Sequence, residues 1–186
     1  MSEQISALAG RSYSGFSTVR EAGLVGMVTL RGDLDSPELA AAVLAATGCA
    51  VPGQRRRVTA GEWSVCWMSP DEVLLVGPYA AAPGLVDQLM QALAGQHALA
   101  VDVSDARASF SITGPKAVEV LMKLCPVDFA ALAEDEVRRT RLAQIAAALW
   151  KSGPEEFSLV CFRSVASYAF GVLENAARPG SELFAG

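Results

Sequence analysis

Residues 100–129 read AVDVSDARASFSITGPKAVEVLMKLCPVDF. Leu99, Val101 and Val103 alternate with small or polar residues, the pattern of a half-buried strand. Phe110 and Ile112 resume the alternation past Ala108. Gly114 lets the chain turn, and Pro115 suits the first turn of a helix, where its missing N–H would find no partner anyway. Val118, Leu121, Met122 and Cys125 then make an apolar stripe at helical spacing, so a helix is predicted over Pro115–Cys125, stopped by Pro126.

Upstream, Leu24–Leu30 reads as a strand and Gly32–Asp35 as a turn. Ser36 is placed to cap a helix that starts on Pro37 and stops at Gly48. A loop with Pro52, Gly53 and Arg55–Arg57 leads to a strand in which Trp63, Val65 and Trp67 alternate with polar and smaller residues. Ser69-Pro70-Asp71 turns it into Val73–Val76, a hairpin. Leu85, Val86, Leu89 and Leu93 mark a second helix between Pro83 and Gly95. With Leu99–Val103 the order is strand-helix-strand-strand-helix-strand.

That order then begins again. Phe110–Ile112, the helix from Pro115, a strand over Arg138–Trp150, its return over Phe157–Phe162 and a helix over Ser164–Ala177 follow in turn. Leu30-Arg31-Gly32 matches Ile112-Thr113-Gly114, and Trp67-Met68-Ser69-Pro70 matches Trp150-Lys151-Ser152-Gly153. The fold class is therefore α+β, two tandem ferredoxin-like (split βαβ) halves in one domain spanning 1–186. Within it, 1–21 is an N-terminal arm, mobile or extended, 22–104 the first half, 105–178 the second half and 179–186 a short polar tail. The second half lacks its last strand.

Of 186 residues, 52% are hydrophobic and 19% charged, enough apolar material for a large core. A formal net charge of −5 argues against a nucleic-acid binder. Runs such as Glu38–Ala46 are too short to span a bilayer, and no secretory leader is visible, so a cytoplasmic protein is expected, with neither nucleic acid nor membrane as partner. Cys49, Cys66, Cys125 and Cys161 stand singly in apolar elements and read as free buried thiols. The only histidine, His97, follows a helix end far in sequence from every cysteine, so no metal site is expected. Asp71, Glu72, Glu155 and Glu156 sit at hairpin turns as solvated carboxylates. Gly114-Pro115 is a capping turn without a phosphate-loop pattern, and Asp102 a strand-end residue. No catalytic, cofactor-binding or metal-binding residue is assigned.

Asp102-Val103-Ser104 and Thr113-Gly114-Pro115 resemble the opening of the folate-binding aminomethyltransferase fold of the glycine-cleavage T-protein type. The chain as a whole resembles the gamma subunits of heterotetrameric sarcosine oxidases. The resemblance rests on Trp67–Asp71, on Arg139–Leu142 running to Leu149-Trp150, and on Arg163-Ser164-Val165-Ala166. It implies a non-catalytic subunit whose partners are alpha, beta and delta chains, chiefly the large alpha subunit. The implied complex oxidatively demethylates sarcosine to glycine, forms hydrogen peroxide and passes the one-carbon unit to tetrahydrofolate, with FAD, FMN, NAD and zinc in the other subunits. The glycine-rich, acid-bearing hairpin that orients folate in the T-protein pattern is replaced here by Ala146-Ala147-Ala148-Leu149-Trp150. A stand-alone folate-binding protein or aminomethyltransferase is the alternative.

Two groups are expected at a partner surface. Arg139 and Arg141 lie beside a hairpin strand, as Arg55–Arg57 do in the first half, and arginine favours bidentate interface contacts. On the last helix, Ser164 should cap, Val165, Ala169, Val172 and Ala176 should face the sheet, and Phe170 should point away as an interface anchor with Arg163 beside it, a role that the resemblance implies.

Overall fold

The computed structural model describes residues 4–184, so the first three residues of the expected arm and the last two of the tail lie outside the described residues. In chain order the strands and helices are β1 (Ser12–Ser14), β2 (Thr18–Glu21), β3 (Gly26–Arg31), α1 (Pro37–Thr47), β4 (Arg57–Ala60), β5 (Trp63–Ser69), β6 (Glu72–Gly77), α2 (Ala82–Ala92), β7 (Leu99–Asp102), β8 (Arg107–Thr113), α3 (Ala117–Met122), β9 (Val137–Leu142), β10 (Ile145–Gly153), β11 (Glu156–Phe162) and α4 (Ala166–Ala176). They form two compact units, Leu24–Asp105 and Met1–Gly23 with Ala106–Gly186.

In the first, the sheet order is β4-β5-β6-β3-β7, with each neighbouring pair antiparallel. Ser36 caps α1 by accepting from the Leu39 N–H at 3.3 Å, and Gly48 ends it at φ 73°, a left-handed turn that glycine adopts without strain. Leu39 and Val43 of α1 and Leu85 and Leu89 of α2 join Val28, Leu30, Val65, Val73 and Leu75 of the sheet in one core. The edge strand β7 departs from the reading of its alternation. Ala100 faces the core, while Leu99 and Val101 are 54% and 41% exposed. Val101 pairs with Thr29 and Ala100 with Leu30, a core residue, so the register turns the small residue inward.

The other unit has the order β1-β2-β8-β11-β10-β9. Setting β3, β5, β6 and β4 against β8, β10, β11 and β9 makes the two topologies the same. The place that β7 holds beside β3 is taken by β2 beside β8. The expected missing last strand is thus supplied by the N-terminus, whose extended segment pairs with β8 of this chain. Val19 of β2 is fully buried and pairs with Ile112. Two contacts fix the segment. The buried carboxylate of Glu21 accepts from Ser6 Oγ at 2.8 Å and the Gly10 N–H at 2.7 Å. Gly15 lies so near the end of α4 that a Cβ there would sit 1.9 Å from the Ala177 carbonyl oxygen, which accepts from the Phe16 N–H at 3.0 Å.

Three further readings are corrected in this unit. Arg138–Trp150 is not one strand but the hairpin β9–β10, turned at Ala143, whose φ is 50°. The two tryptophans are not equivalent. Trp67 opposes Val73 and Lys151 opposes Phe157, each followed by a bulge, so Trp67 corresponds to Lys151 at an offset of 151 − 67 = 84. The third helix is shorter than predicted. Val120 and Leu121 fill the core while Met122 is exposed. The carboxylate of Glu119, buried beside them, accepts from the Leu183 N–H at 2.7 Å and so ties the tail down.

Candidate interface surface

The residues that sequence reading weighed for chemistry do not converge. Asp102 accepts from the Ser104 N–H at 2.9 Å, and Ser104 Oγ accepts from the Met27 N–H at 2.9 Å, which closes the strand end. His97 is exposed in the loop before β7. All four cysteines are free and buried. Burial pushes the thiols of Cys66 and Cys125 up to about 12 and that of Cys161 to about 11, so they are poor nucleophiles and poor metal ligands. Among the described residues no three of His, Cys, Asp or Glu come together as a metal-binding group. A groove of about 800 Å³ runs beside α1, lined by Leu34, Ala40, Ala41, Leu44, Val51 and Trp67 among others. Its mainly apolar lining can hold side chains but supplies no acid–base pair. In β10, which holds the run Ala146-Ala147-Ala148-Leu149-Trp150, Ala147 and Leu149 face the core. The strand carries no carboxylate.

The four residues expected at a partner surface separate. Phe170 is fully buried in the core with Ala166, Ala169, Leu173 and Ala176, and the Arg11 guanidinium lies 4.4 Å from its ring centre. It is a core residue, which corrects its reading as an exposed anchor. The cause is local. Arg163–Val165 form a 3-10 turn, and α4 starts only at Ala166, with no side-chain cap from Ser164. The buried set at 166, 169, 170 and 173 then has ordinary helical spacing. Arg163 is half-buried and donates from Nη2 to the Ile5 carbonyl at 2.7 Å, holding the N-terminal segment.

Arg139 and Arg141 are exposed on β9. Alternation puts them on the face of the sheet opposite Leu142 and the core. The same face carries Arg107 of β8 and Phe162 of β11, which oppose each other in the ladder. The Arg107 guanidinium stacks 4.0 Å from the Phe162 ring centre, and Phe162 is 48% exposed. Ala147 pairs with Cys161, so Ala146 stands next to Phe162, and Ala146 in turn pairs with Arg141. One row across four strands thus reads Arg107, Phe162, Ala146, Arg141, roughly 14 Å wide at ordinary strand spacing. The alternation of β11, with Phe157, Leu159 and Cys161 inward, was the signal that could have found Phe162.

This architecture is that of the aminomethyltransferase fold. The structure of the glycine cleavage system aminomethyltransferase T from Bartonella henselae matches 93% of this chain and 48% of its own at a TM-score of 0.64 and 15% identity. A chain of the heterotetrameric sarcosine oxidase from Corynebacterium sp. U-96, solved with pyrrole 2-carboxylate, matches far better, at a TM-score of 0.81 and 28% identity over 89% of this chain and 87% of its own. The sarcosine oxidase subunit gamma of an Arthrobacter species is 33% identical over 155 residues, 81% of this chain and 75% of that one. The family model for the sarcosine oxidase gamma subunit matches residues 31–178, and the chain belongs to that family. Among the described residues, no helix is long and apolar enough to cross a membrane.

Proposed function

We propose that this chain is the gamma subunit of a cytoplasmic heterotetrameric sarcosine oxidase, a non-catalytic member that packs chiefly against the large alpha subunit beside beta and delta chains. The complex oxidatively demethylates sarcosine to glycine, yields hydrogen peroxide and hands the one-carbon unit to tetrahydrofolate. FAD, FMN, NAD and zinc serve that chemistry in the other subunits. The observation that carries the reading is the 0.81 TM-score over nearly the full length of both chains, taken with the family match. The buried, high-pKa thiols and the scattered acids of this chain support its non-catalytic role.

Co-expression with its neighbouring gene products tests it. The tagged chain should bring down three further subunits, a flavin spectrum and sarcosine-dependent peroxide formation. The chain alone should show none of these, and calorimetry should detect no tight binding of tetrahydrofolate. A chain that purifies alone and binds tetrahydrofolate at micromolar concentration would instead be a stand-alone folate-binding protein.

A further inference from the structure

We propose that the outer edge of β7 is the docking site for an extended segment of another subunit, which joins the five-stranded sheet as a further antiparallel strand and lays apolar side chains beside Leu99 and Val101. The proposal rests on the reading of the chain as one subunit of a complex, and names the edge that makes the contact and the kind of segment that fits it.

The two sheets of the chain differ at one edge. Beside β8 stands β2, and beyond β2 stands β1, antiparallel to it with Tyr13 opposite Val19. Beside β3 stands β7, and among the described residues no strand lies beyond it. The registers match residue by residue. Val19 opposes Ile112 and Ala100 opposes Leu30, and Ile112 and Leu30 hold the same place in their halves. The position beyond Ala100 is therefore the one that Tyr13 fills beyond Val19. The backbone is also turned for pairing. The Val103 N–H donates to the Met27 carbonyl at 2.8 Å, so the alternation of an antiparallel ladder points the N–H and C=O of Ala100 and Asp102 away from β3. In the other half the Glu21 N–H donates to the Arg11 carbonyl at 2.8 Å, and the same alternation points Val19 at β1. The Ala100 N–H donates to the Met90 thioether at 3.2 Å. A thioether is a weak acceptor on a flexible side chain, and Met90 is partly exposed, so an incoming backbone carbonyl can replace it. Edges that stay bare are defended by lysine, proline or a bulge, whereas β7 reads Leu-Ala-Val-Asp with regular register and exposes Leu99 and Val101. Strand addition draws affinity from main-chain bonds and specificity from alternate side chains. The partner residue opposite Ala100 lies on the side of the sheet that α2 covers, and its two neighbours, opposite Leu99 and Val101, are apolar or β-branched. A second β7 would offer only four residues, far less than the roughly 800 Å² a side that a stable dimer buries, whereas a segment of another subunit adds to contacts made elsewhere in the complex.

Hydrogen exchange of the wild-type chain, alone and in the co-expressed complex and read residue by residue, tests the contact. Assembly should slow the amides of Ala100 and Asp102 at least ~10-fold and those of Leu99 and Val101, already turned to β3, much less. The second measurement is retention of this chain in the complex, with the tag on another subunit. Ala100→Pro removes the outward N–H and leaves the β3 ladder its bonds, a place where an edge strand accepts proline. It should lower retention at least ~10-fold, whereas Ala100→Ser, which keeps the N–H, holds most of it. Should Ala100→Pro lose its cooperative melting transition, the exchange pattern decides alone. Unchanged exchange at Ala100 and Asp102, equal slowing at all four amides, or full retention of a folded Ala100→Pro chain overturns the docking edge while leaving membership of the complex standing. Absence of the wild-type chain from the complex overturns both. Self-association of the isolated chain that protects the same two amides would give the edge to a second copy and also overturn the proposal.

Discussion

Replacing Phe170 with alanine separates a core residue from an interface anchor. Its ring is fully buried among Ala166, Ala169, Leu173 and Ala176 and is covered by the Arg11 guanidinium at 4.4 Å. Removing a buried phenylalanine side chain costs about 3–5 kcal/mol through lost transfer energy and the cavity left behind. The lost Arg11 contact adds about 0.5–1 kcal/mol, since that arginine is partly solvated. A loss of about 4 kcal/mol corresponds to a fall of roughly 16–32 °C in melting temperature for a unit of about 100 residues. It should fall on the transition of the unit that holds β8–β11, with the Leu24–Asp105 unit little changed. Differential scanning calorimetry or a urea titration of the isolated chain measures it, and Phe170→Leu should lose much less. A shift under about 2 °C would refute the burial argument and return Phe170 to the surface.

Deleting residues 1–23 removes β1 and β2 and bares the edge of β8, including the backbone that pairs Ile112 with Val19. The unit of β8–β11 should then lose cooperative unfolding and aggregate, as an uncovered hydrophobic edge does, while the Leu24–Asp105 unit still melts. The thiols give a pH signature. The folded state holds the protons of Cys66 and Cys125 up to about 12 and that of Cys161 up to about 11, against an ordinary value of 9.0. The unfolded chain releases them first, so the contribution of these thiols to stability is intact below about pH 9 and is lost as pH climbs from there toward 11–12. Urea midpoints across this range should fall, and Cys125→Ser should flatten the fall. A thiol reagent at pH 8 should react slowly with the native chain and rapidly with the unfolded one.

Strong local signals carried much of the fold. Ser36, Pro37 and Gly48 bracket α1 with side-chain and backbone chemistry that needs no tertiary partner. Ser69-Pro70-Asp71 turns the β5–β6 hairpin in the same way. The errors fall where local chemistry is silent. Ala143-Gln144 contains none of the usual turn residues, so the β9–β10 hairpin read as one strand, and in the first half β4 passed as loop although Gly61 marks its turn into β5. Thr18–Glu21 is too short and polar to announce a strand. Only the vacancy beside β8 pointed to it, and filling that vacancy takes a pairing some ninety residues away in sequence. On the last helix, apolar residues lie on every side, so Val165 and Val172 competed with Phe170 and Leu173 until the 3-10 turn set the phase. At the surface, Arg139 and Arg141 were legible from composition. The outward side of Phe162 was open to the same alternation argument, but its place beside them depends on the β10–β11 register.

The subunit assignment is tested most directly by native mass spectrometry of the complex purified through a tag on another subunit. One copy of a 19.5 kDa chain should be present in an assembly of four different subunits that carries flavin and oxidises sarcosine. An intact, sarcosine-oxidising assembly of the remaining subunits that forms without this chain when it is co-expressed would contradict the account.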